Sequence, residues 1–165
     1  MNAAARRLAA LGLAAAALVA GCRGRTERRL AEDAIRRYDR AVIEAHLTGS
    51  TEALEKAAAE REVERVQIFV AAIRGRGQVL EQSLEELRVM EAAFEKEKGR
   101  ALAEERWVYQ RRDARTREPV APRADRRYLM TYLLAKRGGD WVVEKVEFAR
   151  PSEDAGPGGQ GPVSR

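Results

Sequence analysis

Apolar positions along the chain fall into two regimes. Leu30, Ala34, Tyr38, Ala41 and Ala45 recur at three- and four-residue spacing until Gly49, and Val63, Val66, Val70 and Ile73 form a second stripe that stops at Gly75 and Gly77. This spacing predicts amphipathic helices, the first capped by Thr26, with a short helix beginning at Ser50 or Thr51 between them. The second half changes character. Trp107-Val108-Tyr109, Tyr128 to Ala135 and Trp141 to Phe148 are rich in β-branched and aromatic residues. They predict strands, with Arg137-Gly138-Gly139-Asp140 as the turn joining the last two. In the final strand Val142, Val146 and Phe148 occupy even positions, expected to meet the core with Glu144 on the same face. Residues 80 to 98 fit both patterns. Leu80, Leu84, Leu87, Met90 and Phe94 suit a helix, whereas Met90, Ala92 and Phe94 alternate as in a strand that turns at Glu97-Lys98-Gly99. Propensity alone favours the helix.

The N-terminus follows a different pattern. Arg6 and Arg7 precede an uncharged run of Ala, Leu, Gly and Val from Leu8 to Ala20. That is the layout of an export signal, too short for a permanent span, which needs roughly 20 apolar residues. The run ends in Leu18-Val19-Ala20-Gly21-Cys22, which resembles the lipobox of bacterial lipoproteins. The resemblance implies diacylglycerol on the Cys22 thiol, cleavage between Gly21 and Cys22, and acylation of the new N-terminus. Multiple acyl chains hold a protein firmly where a single one is marginal. Cys22 is the only cysteine, so no internal disulfide is available and the fold must hold by packing. By resemblance to lipoprotein sorting in enteric bacteria, Arg23 after the cysteine implies the outer membrane rather than the inner. The expected organisation is a signal peptide at 1–21, a lipidated tether at 22–25, one domain at 26–150 and a disordered Pro- and Gly-rich tail at 151–165.

The later strands carry a second resemblance. Helices followed by Glu105-Arg106-Trp107-Val108-Tyr109, Tyr128-Leu129-Met130-Thr131-Tyr132 and Gly139-Asp140-Trp141-Val142-Val143-Glu144 resemble a cystatin-like domain of the nuclear-transport-factor-two-like superfamily. The branch most alike is the intermembrane-space domain family of plastid division proteins and its bacterial relatives. Over residues 28 to 149 this implies an α+β fold, with N-terminal helices packed on a curved antiparallel sheet of about four strands. It also implies a strand, not a helix, for residues 86 to 96. No catalytic residues carry over, because no matching motif is present to receive them.

Composition narrows the partners. Loss of residues 1–21 removes Arg6 and Arg7 and leaves 29 basic against 26 acidic side chains, a formal +3 that gives no nucleic-acid footprint. One segment stands apart: Arg106, Arg111, Arg112, Arg115, Arg117, Arg123, Arg126 and Arg127 face only Asp113, Glu118 and Asp125, a local +5. Pro119 and Pro122 mark its middle as an extended hairpin loop. Two uses of this basic surface stand open, contact with anionic headgroups or grip on an acidic partner, beside a solvated loop with no partner.

Candidate chemistry is sparse. Glu105, Glu144, Tyr109, Tyr128 and Tyr132 could converge inside the cone of the fold, where a buried carboxylate would serve as a general base. Against this, Glu105 lies in a Glu-Glu-Arg run typical of a solvated strand, and the tyrosines suit sheet packing with hydroxyls at the rim. His46 is the sole histidine, expected as a surface or capping group, and no metal-ligand spacing or phosphate loop accompanies it. No cofactor is expected. The resulting expectation is a non-enzymatic, lipid-anchored envelope protein that recognises an envelope protein partner through a surface including Trp107, Tyr109, Tyr128 and Tyr132. The alternatives are a carrier of a small hydrophobic ligand, a homodimer through the sheet face, or an isomerase- or dehydratase-like enzyme.

Overall fold

A computed structural model describes the chain fully from Gly24 to Phe148, the backbone of its first helix and last strand continuing past either end. The expected signal peptide, Gly21, Cys22 and the expected tail lie outside these described residues. Three helices, α1 (Ala3–Thr48), α2 (Glu52–Ala57) and α3 (Glu60–Arg74), precede four strands, β1 (Gln78–Glu95), β2 (Lys98–Asp113), β3 (Ala124–Arg137) and β4 (Asp140–Pro151). The strands form one antiparallel meander in the order β1-β2-β3-β4. This is the α+β arrangement expected from the sequence, helices packed on a four-stranded sheet. Among the described residues no helix is long and apolar enough to cross a membrane.

The segment that propensity favoured as helix is strand β1. Its register shifts between Leu84 and Glu86 and again between Val89 and Glu91. Each shift is a bulge, and a bulge reverses which parity of residue faces the core. Leu80, Gln82 and Leu84 therefore give way to Leu87 and Val89, then to Ala92 and Phe94, on one face. Two bulges put three-residue steps into a two-residue alternation, and those steps imitate helical spacing. Met90, counted in both stripes, falls at the second bulge and is exposed.

The same device corrects the expected face of β4. Its register shifts between Leu133 and Leu134, leaving Glu144 as the extra residue. Val143 and Val146 join the helix-facing core, whereas Val142 is buried on the opposite side and Phe148 is exposed. Glu144 leaves the core face and pairs with Lys98 at 2.8 Å.

Helix α1 contributes Ala31, Ala34, Ile35, Tyr38, Ala41 and Ala45 to the core, against Ala101 and Ala103 of β2. Alanine on both sides lets helix and sheet approach closely. Two expectations for α1 change. The helix runs through Gly24, Arg25 and Thr26 instead of starting at Thr26, although Gly24 and Thr26 are both weak helix formers. Leu30 is 40 % exposed, and Ala31 and Ile35 take its expected place. Helices α2 and α3 add Leu54, Val63, Val66 and Val70. Their junction shields the β4 edge, with the Ala59 N–H donating to the Val143 carbonyl at 2.8 Å.

The hairpin at Gly138 and Gly139 has positive φ at both residues, 59° and 97°, as its turn requires. The β1–β2 turn sits at Lys96-Glu97, earlier than the expected Glu97-Lys98-Gly99. Gly99 is instead a strand residue opposite Phe94, and a Cβ there would meet the Phe94 ring at 2.5 Å and the Leu134 Cβ at 3.3 Å. Trp141 packs against that ring, centroids 4.5 Å apart, and restricts how far it can move. Gly99→Ala should destabilise the fold by about 1–3 kcal/mol, the usual cost of overpacking. Urea denaturation checks this, and an unchanged midpoint would show that the ring yields freely.

Candidate functional site

The helix-facing row of β2 reads Ala101, Ala103, Glu105, Trp107, Tyr109 and Arg111, and alternation carries Glu105 into the interior beside Trp107. Glu105 is 1 % exposed. The expectation of a solvated glutamate is thus corrected: the neighbours Glu104 and Arg106 point to the other face and Glu105 does not. Its carboxylate accepts from the Tyr132 hydroxyl at 2.5 Å and from the Trp107 indole N–H at 2.7 Å. Tyr132 is fully buried, so its hydroxyl is at the centre of the core and not at the rim.

Above this cluster α1 places Tyr38 and Asp39. Tyr38 meets the Tyr132 ring edge-on with centroids 6.2 Å apart, and donates to Glu62 of α3 at 2.5 Å. Arg65 completes that second cluster, its Nε 3.0 Å from Glu62 and its Nη2 3.1 Å from the Tyr38 hydroxyl. Asp39 is 2 % exposed and its Oδ2 has no hydrogen-bond partner among the described residues. Burial, then the charge of Glu105, hold the Asp39 carboxyl well above the ordinary range, with Arg36 opposing weakly. Burial also raises Glu105, while its bonds from Tyr132 and Trp107 favour the charged form. Asp39, which lacks the two donors that Glu105 has, is thus pushed the harder of the two toward its protonated form. Asp39 was missed from the sequence, although its position four residues after Ile35 and eight after Ala31 puts it on the buried stripe.

An aromatic ribbon leads outward from the cluster. Trp107 stacks on Tyr109 (6.1 Å), Tyr109 meets Tyr128 edge-on (6.4 Å), and Tyr128 meets Phe148 (5.8 Å). Exposure rises along it, from buried Trp107 through half-buried Tyr109 and Tyr128 to Phe148 at 59 %. The structure thus brings together Glu105, Trp107, Tyr109, Tyr128 and Tyr132, but leaves Glu144 apart with Lys98. His46, expected at the surface, packs its ring 5.0 Å from Phe69 with Nδ1 buried and unpartnered, and burial lowers its pKa.

The eight arginines divide by strand parity. On the face away from the helices Arg106 bonds Asp125 and Glu86, Arg127 bonds Glu86, and Arg112 bonds Glu81. Arg111 and Arg126, on the aromatic face, and Arg115, Arg117 and Arg123, in the β2–β3 loop, have no carboxylate within ion-pair distance among the described residues, although Arg115 lies in the field of Asp113 and Arg123 in that of Asp125. Asp113 is occupied by the loop itself, accepting from the Arg115 and Thr116 backbone N–H groups at 2.9 and 2.8 Å. Among the described residues no group of three or more His, Cys, Asp or Glu is placed to hold a metal ion.

No family model and no curated protein matches the sequence. Among solved structures, the chain is similar to the intermembrane space region of the chloroplast protein ARC6, at 14 % identity and a TM-score of 0.63, over 73 % of this chain and 94 % of that one. It also aligns with a domain of unknown function with a cystatin-like fold from Nostoc punctiforme, at 21 % identity and a TM-score of 0.41, over 70 % and 74 %. The first likeness shows a shared fold, the one the sequence resemblance implied.

The upward push on the Asp39 carboxyl has a measurable consequence. A carboxyl whose pKa is raised by folding contributes stability that is fully present below its unfolded value, 3.8 for Asp39, and is lost as pH rises toward the folded value. Wild-type stability should therefore fall from pH 4 upward through this pair. Asp39→Asn removes the titration and should narrow the difference in urea midpoint between pH 5 and pH 8, with the larger gain at pH 8. Equal midpoint shifts at both pH values would mean that Asp39 is already ionised in the folded protein.

Proposed function

We propose that this chain is a protein-interaction module of the cell envelope, held at a membrane by a lipid on Cys22. The observation that carries the reading is the aromatic ribbon from Trp107 to Phe148. Its inner end is locked by Glu105 and Tyr132, and its outer end offers a large aromatic side chain to solvent. Rigid aromatic side chains seated on a sheet provide contact area at low conformational cost, which is why they anchor protein interfaces. The fold shared with the ARC6 intermembrane space region supports an α+β domain as its frame.

The carboxyl pair favours this reading over catalysis. A general base must come within hydrogen-bond reach of the proton it abstracts. Asp39, Glu105 and Tyr132 are each 2 % exposed or less, and Glu105 is already engaged by two donors within the protein. Their arrangement fits a structural use, fixing the inner end of the ribbon. The ion-paired opposite face, with its carboxylates and arginines matched, is the less adhesive of the two.

A photo-crosslinking amino acid at Phe148 or Tyr109, in cells of the native host, should trap a protein adduct. The same group at Arg100, on the opposite face, should not. An adduct of twice the chain mass would identify the partner as a second copy. Equal yields at all three positions, or a small-molecule adduct in place of a protein, would overturn the proposal. The anchor has its own test. Cys22→Ala should move the protein from the membrane to the soluble fraction and abolish incorporation of labelled acyl chains, and a variant that still sediments with membranes would refute lipid attachment.

A further inference from the structure

The ribbon and the unpaired arginines occupy one end of one face. Arg111 follows Tyr109 by two residues along β2 and shares its side of the sheet, and Arg126 is the β3 partner of Trp107. The loop beyond them holds Arg115, Arg117 and Arg123 against a single carboxylate, Glu118, and exposes Val120 between its two prolines. Strand parity has sorted the strand arginines so that carboxylates pair with those of the far face and leave Arg111 and Arg126, beside the aromatics, with no carboxylate within ion-pair distance among the described residues.

The direction of this end relative to α1 restricts what it meets. Arg37 of α1 donates to the Trp141 carbonyl, and Trp141 packs on Phe94, near the β1–β2 and β3–β4 turns. At the other end of the helix the Leu47 carbonyl accepts from Arg74 of α3. The loop that follows α3 receives the Ala114 N–H on the Gly77 carbonyl, at the start of the β2–β3 loop. The described start of α1 and the basic loop therefore lie toward opposite ends of the sheet, whose 16-residue strand β2 spans on the order of 50 Å at about 3.3 Å per residue. The basic end is therefore the end of the sheet farther from the start of α1, on whose side the proposed Cys22 anchor would attach.

Resting on the reading of this chain as an interaction module, we infer that the ribbon and arginines 111, 115, 117, 123 and 126 form one docking site for an acidic peptide segment of a partner protein. A bulky apolar side chain of that segment packs on Phe148 and Tyr128, while its carboxylates meet Arg111, Arg126 and the loop. Aromatic contact supplies the affinity and the arginines supply steering and discrimination against basic sequences. Guanidinium groups suit carboxylates because they bind them through paired, coplanar N–H donors.

The test is selection of a random peptide library on the full chain in detergent micelles. Enriched peptides should be net acidic and carry an aromatic or large aliphatic residue. Their binding should weaken with salt and fall roughly tenfold or more in the Arg111→Glu/Arg126→Glu double variant. Phe148→Ala should weaken it as well, and Arg100→Glu on the opposite face should not. Because charge reversal can perturb folding, Arg111→Gln/Arg126→Gln with an unchanged melting curve serves as the second variant and should show the same direction of loss. Enrichment without an acidic bias, or affinity indifferent to both double variants, overturns the charge assignment while leaving the interaction module intact. A library that yields no binder removes the peptide site, and the cross-links at Phe148 then decide the broader reading independently. Arginine-dependent binding to phosphatidylglycerol vesicles, without peptide enrichment, would replace the peptide by a lipid surface and overturn the proposal too.

Discussion

One buried carboxylate organises the interior. Glu105 cannot lie beneath a helix uncompensated, because a charge removed from water without partners costs several kcal/mol. Its two oxygens are each claimed, by the Tyr132 hydroxyl and the Trp107 indole, and those bonds fix the orientation of two large side chains on adjacent strands. Tyr132 then receives Tyr38, whose hydroxyl reaches Glu62 and Arg65 of α3. Two hydrogen-bonded clusters joined by one edge-on ring contact thus link sheet, first helix and third helix. In a chain with one cysteine, this cross-element bonding joins apolar packing in setting how the helices sit on the sheet.

The same cluster explains why the ribbon has a rigid root and a free tip. Trp107 is held by its N–H, so Tyr109 stacks on a fixed ring, and each further aromatic is positioned by the one before. Asp39 stands against this arrangement with one oxygen unpaired. Burial and the charge of Glu105 both push the Asp39 carboxyl toward the protonated form, at a cost in stability that grows with pH. Local strain of this kind persists where surrounding structure over-determines it, and here helix and sheet do so on both sides.

How much of this was legible in the sequence depended on whether the alternation ran without interruption. Both longer helical stripes and the Gly138-Gly139 hairpin were legible because each obeys one period and ends at glycine, although the start of α1 and the place of Leu30 were not. Strand β1 was not, because bulges at Glu85 and Met90 insert an odd step twice and give apolar spacings of three that copy a helix. In β4 one bulge at Glu144 moved the core from Val142 to Val143 while leaving Val146 in place. Bulges leave no composition signal of their own, so only pairing partners reveal them. Glu105 is a different case. Its row of Ala101, Ala103 and Trp107 was available, but the flanking Glu104 and Arg106 made the segment look uniformly polar, and composition outweighed parity.

Parity also turns a bland feature into a specific one. Counted along the chain, eight arginines against three carboxylates are a diffuse positive segment that a solvated loop would equally display. Folded, three of those arginines spend their charge on Glu81, Glu86 and Asp125 across the outer face, two of those carboxylates coming from β1, far away in sequence. The remaining five are not a random remainder, because Arg111 and Arg126 share the face that carries Tyr109, Tyr128 and Phe148, and Arg115, Arg117 and Arg123 sit in the loop at the same end. Pairing on one side is what concentrates the field on the other, and an exposed aromatic at the edge of a concentrated positive field distinguishes a surface that recognises from one that merely dissolves.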